Sequence, residues 1–261
     1  MEFDFTDTGT GPALLFLPGS YSSQAAWKGV QKALQGSYRL ISTSLPGYGA
    51  TPEVRGDDVR DTDLMTSFVA QVVRHIGEPV HLVGHSWGGL VAFAATLGGK
   101  IAPLSLITFE ANPVFSRPSE GAFPWLKGVL DANERFDAAH AAGDPDAAGI
   151  IIDYWSEPGF FRSMPEQVRG YCRSTASTNI LDWRCAAGFT PVITEYAAIE
   201  MPCTVVRGAF ANEAITDISD AISDVLPQGS LRVVDGAGHF LISTHAAECA
   251  ALIDAHMAQV L

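Results

Sequence analysis

Short hydrophobic runs that end in turns rich in glycine recur along the chain. They lie at 13–17, 38–44, 79–83, 104–109, 203–207 and 231–234. Such continuous apolar runs predict strands buried on both faces, as in a parallel sheet. The stretch 64–76 instead places Leu64, Phe68 and Val72 at helical spacing, and 246–261 predicts a closing helix. This alternation predicts an α/β fold, in which helices wrap a mostly parallel sheet.

The segment 113–196 departs from this pattern. It reads as helical and holds 12 of the chain's 25 aromatic residues in about a third of its length. We therefore predict a core formed by 1–112 and 197–261, with 113–196 inserted as a helical cap. Any one of its aromatic rings could simply pack within a helical layer, but together they suggest an apolar roof over a pocket. The rings concerned are those of Phe115, Trp125, Tyr154, Trp155, Phe160 and Phe161.

Composition narrows the class of protein. With 47% hydrophobic and 17% charged residues, the 261-residue chain can bury a large core, which excludes a disordered or fibrous protein. The net charge of -13 and the scattered basic residues argue against a nucleic-acid partner. The acid-rich stretch 53–63, interrupted by Arg55 and Arg60, predicts a solvated loop face.

The cysteines and the N-terminal sequence bear on metal sites and location. Four widely separated cysteines show no spacing typical of metal ligands, so we expect buried reduced thiols, with neither a metal site nor a disulfide framework. The start MEFDFTDTGTGP has neither a basic region nor a long apolar run, so we expect no signal peptide, no membrane span and a cytoplasmic location. The oligomeric state stays open, a homo-oligomer included.

The strongest chemical signal is the sequence Gly84-His85-Ser86-Trp87-Gly88. It follows an apolar run and precedes a helical stretch, which predicts a strand, a sharp turn and a helix. A serine at the tip of such a turn has strained backbone angles, and only residues without a Cβ fit two positions before and after it. We therefore predict that Ser86 is a nucleophile held clear of the sheet.

A serine hydroxyl needs a base within hydrogen-bond reach before it can attack at neutral pH. Of the seven histidines, those at 75, 81, 140, 245 and 256 fall in helices, a strand or the insertion, and His85 points away from its neighbour Ser86. His239 instead follows the run 231–234 in a glycine-rich turn. Because catalytic groups of open α/β sheets gather at the carboxyl edge of the strands, we predict that His239 meets Ser86 there.

These motifs resemble those of the α/β-hydrolase family, and the resemblance covers nearly the whole chain apart from the variable cap. In that family a glycine turn after an early strand supplies one oxyanion N–H. The matching residues are 17–21, with Pro18 where many members have histidine. The resemblance implies an oxyanion hole made of the backbone N–H groups of Ser20 and Trp87. It assigns a structural role to the glycine-rich loop 45–49.

The acid that would orient His239 is less clearly marked. Most members of the family place an aspartate after the penultimate strand, but here that stretch ends Phe210-Ala211-Asn212. Some members place the acid after the preceding strand instead, where this chain has Glu110. An acidic residue that ends an apolar strand is costly without a partner. Glu110 is therefore our prediction, with Glu213 or Asp217 as the alternatives.

Trp87 after the nucleophile and a glutamate at position 110 also resemble haloalkane dehalogenases. Their nucleophile is aspartate, whose ester water can cleave, whereas Ser86 would leave a stable ether. The chain therefore does not fit that reaction or the family's aspartyl route for epoxides. The indole of Trp87 is either an apolar wall beside the nucleophile or a ligand-binding group.

The resemblance implies a serine hydrolase that acts through an acyl-enzyme and needs no cofactor and no metal. Carboxylic esters or lactones of small apolar molecules are the expected substrates. Hydrolysis of thioesters or of carbon–carbon bonds next to carbonyls is an alternative, because relatives use the same triad for both. A catalytically weak receptor that binds a ligand in the pocket is a further alternative, and the missing carboxylate near Asn212 is its only support.

Overall fold

The computed structural model describes residues 3–261. Within them, seven strands form one sheet in the spatial order β1-β3-β2-β4-β5-β6-β7. β1 runs antiparallel to β3, and every other neighbouring pair is parallel. The strands are β1 (Phe5–Gly9), β2 (Ala13–Leu17), β3 (Arg39–Thr43), β4 (Val80–His85), β5 (Ser105–Phe109), β6 (Cys203–Gly208) and β7 (Gly229–Val234).

Helices cover both faces of this sheet. One face carries α1 (Lys28–Ala33) and α11 (Ala246–Val260), and the other carries α2 (Asp63–Ile76), α3 (Trp87–Leu97) and α9 (Glu213–Val225). The remaining helices are α4 (Leu126–Ala141), α5 (Ala148–Trp155), α6 (Phe160–Ser163), α7 (Glu166–Ser174), α8 (Ala176–Ala187) and α10 (Leu241–Thr244). No helix within residues 3–261 is long and apolar enough to cross a membrane.

β2 shows why a parallel strand reads as a continuous apolar run. Ala13, Leu15 and Leu17 pack into the core beneath α2 and α3. Leu14 and Phe16 point the other way, into the core shared with α1 and α11. Since successive side chains of a strand point to opposite faces, a strand covered on both sides needs an apolar residue at every position. The predicted α/β fold is confirmed.

The direction of the strands brings distant residues to one edge. β2, β4, β5 and β7 are parallel, so the segments that follow them lie at the same carboxyl edge. Those segments contain Ser20, Ser86, Glu110 and His239 respectively.

Helices α4–α8 lie between β5 and β6 in the sequence, within the segment expected to form a cap. Residues of α5 and α8 line a cavity together with Ser86 and His239, so these helices cover the carboxyl edge. The domain borders after 112 and 196 stay a prediction. A 3-10 turn at Ile193–Ala198 spans the second of them.

The sequence analysis missed β1. Its residues FTDTG are half-buried at the start and exposed at the end, because β1 is the antiparallel edge strand. An edge strand buries little side-chain surface, so it lacks the continuous apolar run that marks the inner strands.

Candidate active site

Ser86 occupies the sharp turn between β4 and α3. Its backbone has φ 50° and ψ -119°, a conformation that residues other than glycine rarely adopt. A Cβ on Gly88 would lie 2.4 Å from the carbonyl oxygen of Leu17, and one on Gly84 would lie 2.8 Å from the carbonyl oxygen of Gly88. Glycine is therefore required at both positions, and the strained turn holds the Ser86 side chain clear of the strand.

The structure brings Ser86 and His239 together across 153 residues of sequence. Ser86 Oγ lies 3.0 Å from His239 Nε2, and both side chains are buried. This distance is within hydrogen-bond reach, which a base needs in order to take the serine proton.

Glu110 lies on the other side of the imidazole. Its Oε2 is 3.1 Å from His239 Nδ1, and its Oε1 accepts a hydrogen bond of 2.6 Å from the backbone N–H of Gly208. Glu110 also has a left-handed backbone, with φ 49°, and its side chain is fully buried. A carboxylate can only accept, so Nδ1 carries the proton and Nε2 is free to accept from Ser86.

The alternative acids have other partners. Asp217 Oδ2 accepts a hydrogen bond from the indole N–H of Trp125, and Glu213 lies in the first turn of α9. Asn212 caps that helix, because its Oδ1 accepts from the backbone N–H of Ala214. The residues at the usual acid position thus begin a helix, while Glu110 supplies the carboxylate beside His239.

The oxyanion donors expected from the family resemblance are the backbone N–H groups of Ser20 and Trp87. Within residues 3–261, neither N–H donates a hydrogen bond to a protein acceptor. The Trp87 N–H belongs to the first turn of α3, where backbone donors lack intrahelical partners. The Ser20 loop passes against the nucleophile, since a Cβ on Gly19 would lie 3.0 Å from Ser86 Cβ. Two unused donors therefore adjoin Ser86.

A cavity of about 50 Å³ opens beside Ser86 and His239. The ring of Trp155 stacks on that of His239 with centroids 5.7 Å apart, and the ring of Trp183 stacks on Trp155 at 6.1 Å. These rings give the cavity a mainly apolar wall. Its other lining side chains include Tyr21, Val114, Ile151, Ile152, Ala186 and Phe240.

The cap aromatics have different roles. Trp155 lines the cavity, whereas Phe115 packs edge-on against Trp183 from outside the lining. Trp125 stacks on Phe123, away from the cavity. Some rings thus form the roof, and others pack within the helical layer.

The indole of Trp87 is buried and also lines the cavity. Its Nε1 has no hydrogen-bond partner within residues 3–261, and the same holds for Oδ1 of Asn112, another lining residue. The ligand-binding interpretation of Trp87 and the apolar-wall interpretation both stay predictions.

A family model described as the alpha/beta hydrolase family matches residues 14–252. The chain belongs to this family. The solved structure of MenH from S. aureus resembles it with a TM-score of 0.78 over 99% of this chain and 98% of that one. At 18% identity this likeness shows the fold alone. The family assignment confirms the resemblance inferred from the motifs.

Curated relatives of this α/β hydrolase include proteins named pimeloyl-(acyl-carrier protein) methyl ester esterase. The one from Vibrio parahaemolyticus is 30% identical over an alignment of 150 positions that covers 53% of this chain and 56% of the relative. The one from Aromatoleum aromaticum is 25% identical over an alignment of 266 positions, gaps included, that covers 93% of this chain and 97% of the relative. The chain spans about half the length of the relatives with 30% identity or more.

His85 of the α/β hydrolase is buried and also lines the cavity. Burial, together with the nearby His239, lowers its pKa to about 3, so the ring is neutral at neutral pH. Its Nε2 lies 2.9 Å from the backbone carbonyl oxygen of His239 and donates to it. As expected, His85 does not replace His239 as the partner of Ser86; it fixes the loop that carries His239.

The sequence analysis missed a buried ion pair at the edge of the cavity. Asp182 of α8 accepts from Arg55 Nη1 at 2.6 Å, and Arg55 also binds Glu53 at 2.7 Å. The expectation that 53–63 forms a solvated loop face is wrong for Arg55, whose side chain is fully buried. No local pattern marks this pair, because its members are 127 residues apart.

The cysteines and the potential metal-ligand side chains form no further site within residues 3–261. All four cysteine side chains are buried, and burial raises the pKa of the Cys203 thiol to about 12. Within residues 3–261 there is no group of three or more His, Cys, Asp or Glu side chains that could hold a metal ion.

Proposed function

We propose that this α/β hydrolase is a serine hydrolase that cleaves carboxylic esters or lactones of small apolar substrates through an acyl-enzyme. The observation that carries the proposal is the hydrogen-bonded series from Ser86 Oγ through His239 to Glu110, beside an apolar cavity. A hydroxyl, an imidazole and a carboxylate in this order are the groups that nucleophilic acyl transfer requires.

In the proposed first step, His239 Nε2 takes the proton of Ser86 as Oγ attacks the substrate carbonyl. The negative charge that develops on the carbonyl oxygen is stabilised by the backbone N–H groups of Ser20 and Trp87. The first turn of α3 adds a favourable dipole at the same place. His239 then gives its proton to the leaving alcohol, and the acyl group stays on Ser86.

In the second step, His239 activates a water molecule that attacks the acyl-enzyme. The acid leaves, and Ser86 recovers its proton. Throughout both steps Glu110 holds the proton on Nδ1 and stabilises the imidazolium that forms. The hydrogen bond from Gly208 to Glu110 keeps this carboxylate in place.

The size and the lining of the cavity support the proposal that the substrates are small and apolar. Its volume of about 50 Å³ and its Trp155 and Trp183 walls favour short apolar acyl or alcohol groups. Relatives named methyl ester esterases agree with a small alcohol leaving group. Thioesters and carbon–carbon bonds next to carbonyls are the alternative substrates.

The receptor hypothesis loses its support. It depended on a missing carboxylate near Asn212, and Glu110 provides a carboxylate at His239 Nδ1.

A labelling experiment with an ester panel tests the proposal. We expect a fluorophosphonate probe to label the wild-type protein but not Ser86→Ala, and the wild type to hydrolyse short-chain aryl esters and small lactones. Thioester and β-diketone substrates in the same panel distinguish the alternatives. A folded wild type that is neither labelled nor active on any panel member would contradict the proposal.

A further inference from the structure

The loop that follows β2 carries one of the two proposed oxyanion donors. This loop lies outside any regular element before the 3-10 turn at Gln24–Trp27, so no strand or helix fixes the direction of the Ser20 N–H. Tyr21 also has a left-handed backbone, with φ 57°. A residue other than glycine keeps such a conformation only where its surroundings hold it. Together with the hydrogen bond that the Ser22 hydroxyl donates to the carbonyl oxygen of Gly19, contacts made by Ser20 and Tyr21 therefore help to set the shape of the loop.

Those contacts come from one helix of the cap. Ser20 Oγ donates a hydrogen bond of 2.5 Å to Asp182 Oδ2, and the Tyr21 hydroxyl donates one of 2.9 Å to Asn179 Oδ1. Asn179 and Asp182 are three residues apart on α8, so they lie on the same face of the helix. Two successive loop residues are thus held by one turn of α8.

Asp182 is itself fixed on the side of the core. Arg55 Nη1 donates to its Oδ1, and the Tyr48 hydroxyl donates to its Oδ2 at 2.6 Å. Arg55 also donates to the backbone carbonyl oxygen of Pro46. Because the carboxylate is buried and accepts hydrogen bonds from Arg55, Tyr48 and Ser20, its position is fixed.

We propose that Asp182 is a positioning residue for the reaction: it holds Ser20 Oγ and thereby directs the Ser20 N–H at the oxyanion. This inference rests on the proposed function. The contact between Arg55 and Asp182 joins α8 to the core. The contact with Ser20 additionally connects that ion pair to the residue whose N–H adjoins Ser86.

Two hydroxyl deletions on the same carboxylate test the role of this contact. Ser20→Ala and Tyr48→Phe each remove one donor from Asp182 Oδ2, but only Ser20→Ala removes a contact between Asp182 and the loop. Small misplacements of catalytic groups have large rate effects, so we expect Ser20→Ala to lower kcat on the order of 10-fold with little change in KM. We expect Tyr48→Phe to keep its kcat within about 2-fold. A purely structural role predicts equal shifts in Tm and unchanged kcat for both variants.

A double-mutant cycle with Asp182→Asn measures whether Asp182 acts through Ser20. If it does, the double variant has the same kcat as Asp182→Asn alone, because the contact that Ser20→Ala removes is already lost. Additive losses would overturn the inference. If Asp182→Asn does not fold, the comparison of Ser20→Ala with Tyr48→Phe still decides.

The outcomes separate this inference from the proposed function. If the wild type is active and labelled but Ser20→Ala keeps the wild-type kcat, or loses no more of it than Tyr48→Phe does, only the positioning role is overturned. A wild type without labelling or turnover overturns both.

Discussion

Serine and histidine form hydrogen-bonded clusters at both ends of the same strands. At the carboxyl end, Ser86 follows β4 and bonds to His239, which bonds to Glu110 after β5. We call these three residues the carboxyl-end cluster. At the amino end, Ser105 of β5 lies 2.8 Å from His81 Nδ1 and 2.8 Å from His256 Nε2. Both clusters are buried and have similar distances.

The clusters differ in backbone conformation, in their position relative to the cavity and in the partners of their imidazole rings. Ser105 and His81 lie in regular strands, whereas Ser86 has strained backbone angles. Ser86 and His239 of the carboxyl-end cluster line a cavity, and the imidazole bonds to the carboxylate of Glu110. We name the residues His81, Ser105, Thr204, Ser230 and His256 the amino-end cluster. Its other hydrogen bonds join the Thr204 hydroxyl to the Ser230 hydroxyl and to His256 Nδ1. A hydrogen bond between serine and histidine therefore does not by itself indicate catalysis.

The difference extends to charge. Burial, with a smaller contribution from His81, lowers the pKa of His256 to about 4, and burial lowers the pKa of His81. Without a carboxylate partner, both imidazole rings are uncharged at neutral pH. The amino-end cluster can therefore stabilise the fold but could not accept a serine proton and stabilise the charge that results.

The largest expected difference between the clusters is the effect of removing the serine hydroxyl. Ser86→Ala should reduce ester turnover on the order of 10⁶-fold with little effect on Tm. Ser105→Ala should keep turnover near the wild-type value and lower the free energy of unfolding by about 1–3 kcal/mol, because two buried imidazoles each lose a partner. Steady-state kinetics and thermal melts of both variants measure this.

A double mutant checks that Ser86 and His239 act as one unit. Ser86→Ala combined with His239→Ala should be hardly slower than either single variant. Additive losses would contradict the pairing, and a large loss of turnover in folded Ser105→Ala would contradict the contrast between the two clusters.

The second-largest effect on turnover is expected from the carboxylate of Glu110, which has no counterpart in the amino-end cluster. Glu110→Gln preserves the shape of the side chain but favours the wrong tautomer of His239, so kcat should fall on the order of 10⁴-fold. Asp217→Asn is the matched control at the alternative acid position. It disturbs a contact with Trp125 and should leave kcat near the wild-type value. If Asp217→Asn lost more kcat than Glu110→Gln on the same ester, the acid of the triad would be Asp217 of α9.

Much of the carboxyl-end cluster could be predicted from the sequence. The turn at Gly84–Gly88 carries its own backbone requirements, and the glycine-rich turn before His239 follows a recognisable strand. The parallel direction of the strands then implies a meeting at one edge. Glu110 needed the family resemblance, because a lone acid after a strand has no local signature.

The contacts of the cap could not be predicted in the same way. Ser20 and Asp182 are 162 residues apart, and Asp182 stands in an ordinary helical stretch. The docking of the inserted helices decides which of their side chains reach the core. Hydrophobic periodicity does not specify that docking. Arg55 was misread for the same reason: its partner lies in a distant part of the chain.

A smaller effect is expected on the free energy of unfolding as the pH is lowered. Above pH 6.5 His256 is neutral in both the folded and the unfolded chain. Between pH 6.5 and about 4 only the unfolded chain binds the proton, so the free energy of unfolding falls as the pH falls. For His256 the loss reaches about 3 kcal/mol. Urea titrations from pH 7 to pH 4.5 should show a shallower decline for His256→Gln, and parallel curves would contradict this origin.

The smallest expected effect concerns the apolar wall that only the carboxyl-end cluster faces. Trp183 and Trp125 are almost equally buried, at 7% and 6% exposure, but only Trp183 lines the cavity. Trp183→Leu should enlarge the cavity and raise the preference for longer acyl chains. Each additional buried CH₂ contributes about 0.8 kcal/mol, or roughly 4-fold in kcat/KM.

The comparison with Trp125→Leu separates cavity size from a general loosening of the cap. The kcat/KM values of the wild type and both variants on p-nitrophenyl esters from acetate to octanoate provide the measurement. Trp125→Leu removes a ring that stacks on Phe123 away from the cavity, so its chain-length profile should match the wild type. If both variants shifted the profile equally, mobility of the cap and not the Trp183 wall would limit the substrate, and the preference for short apolar groups would lose its structural basis.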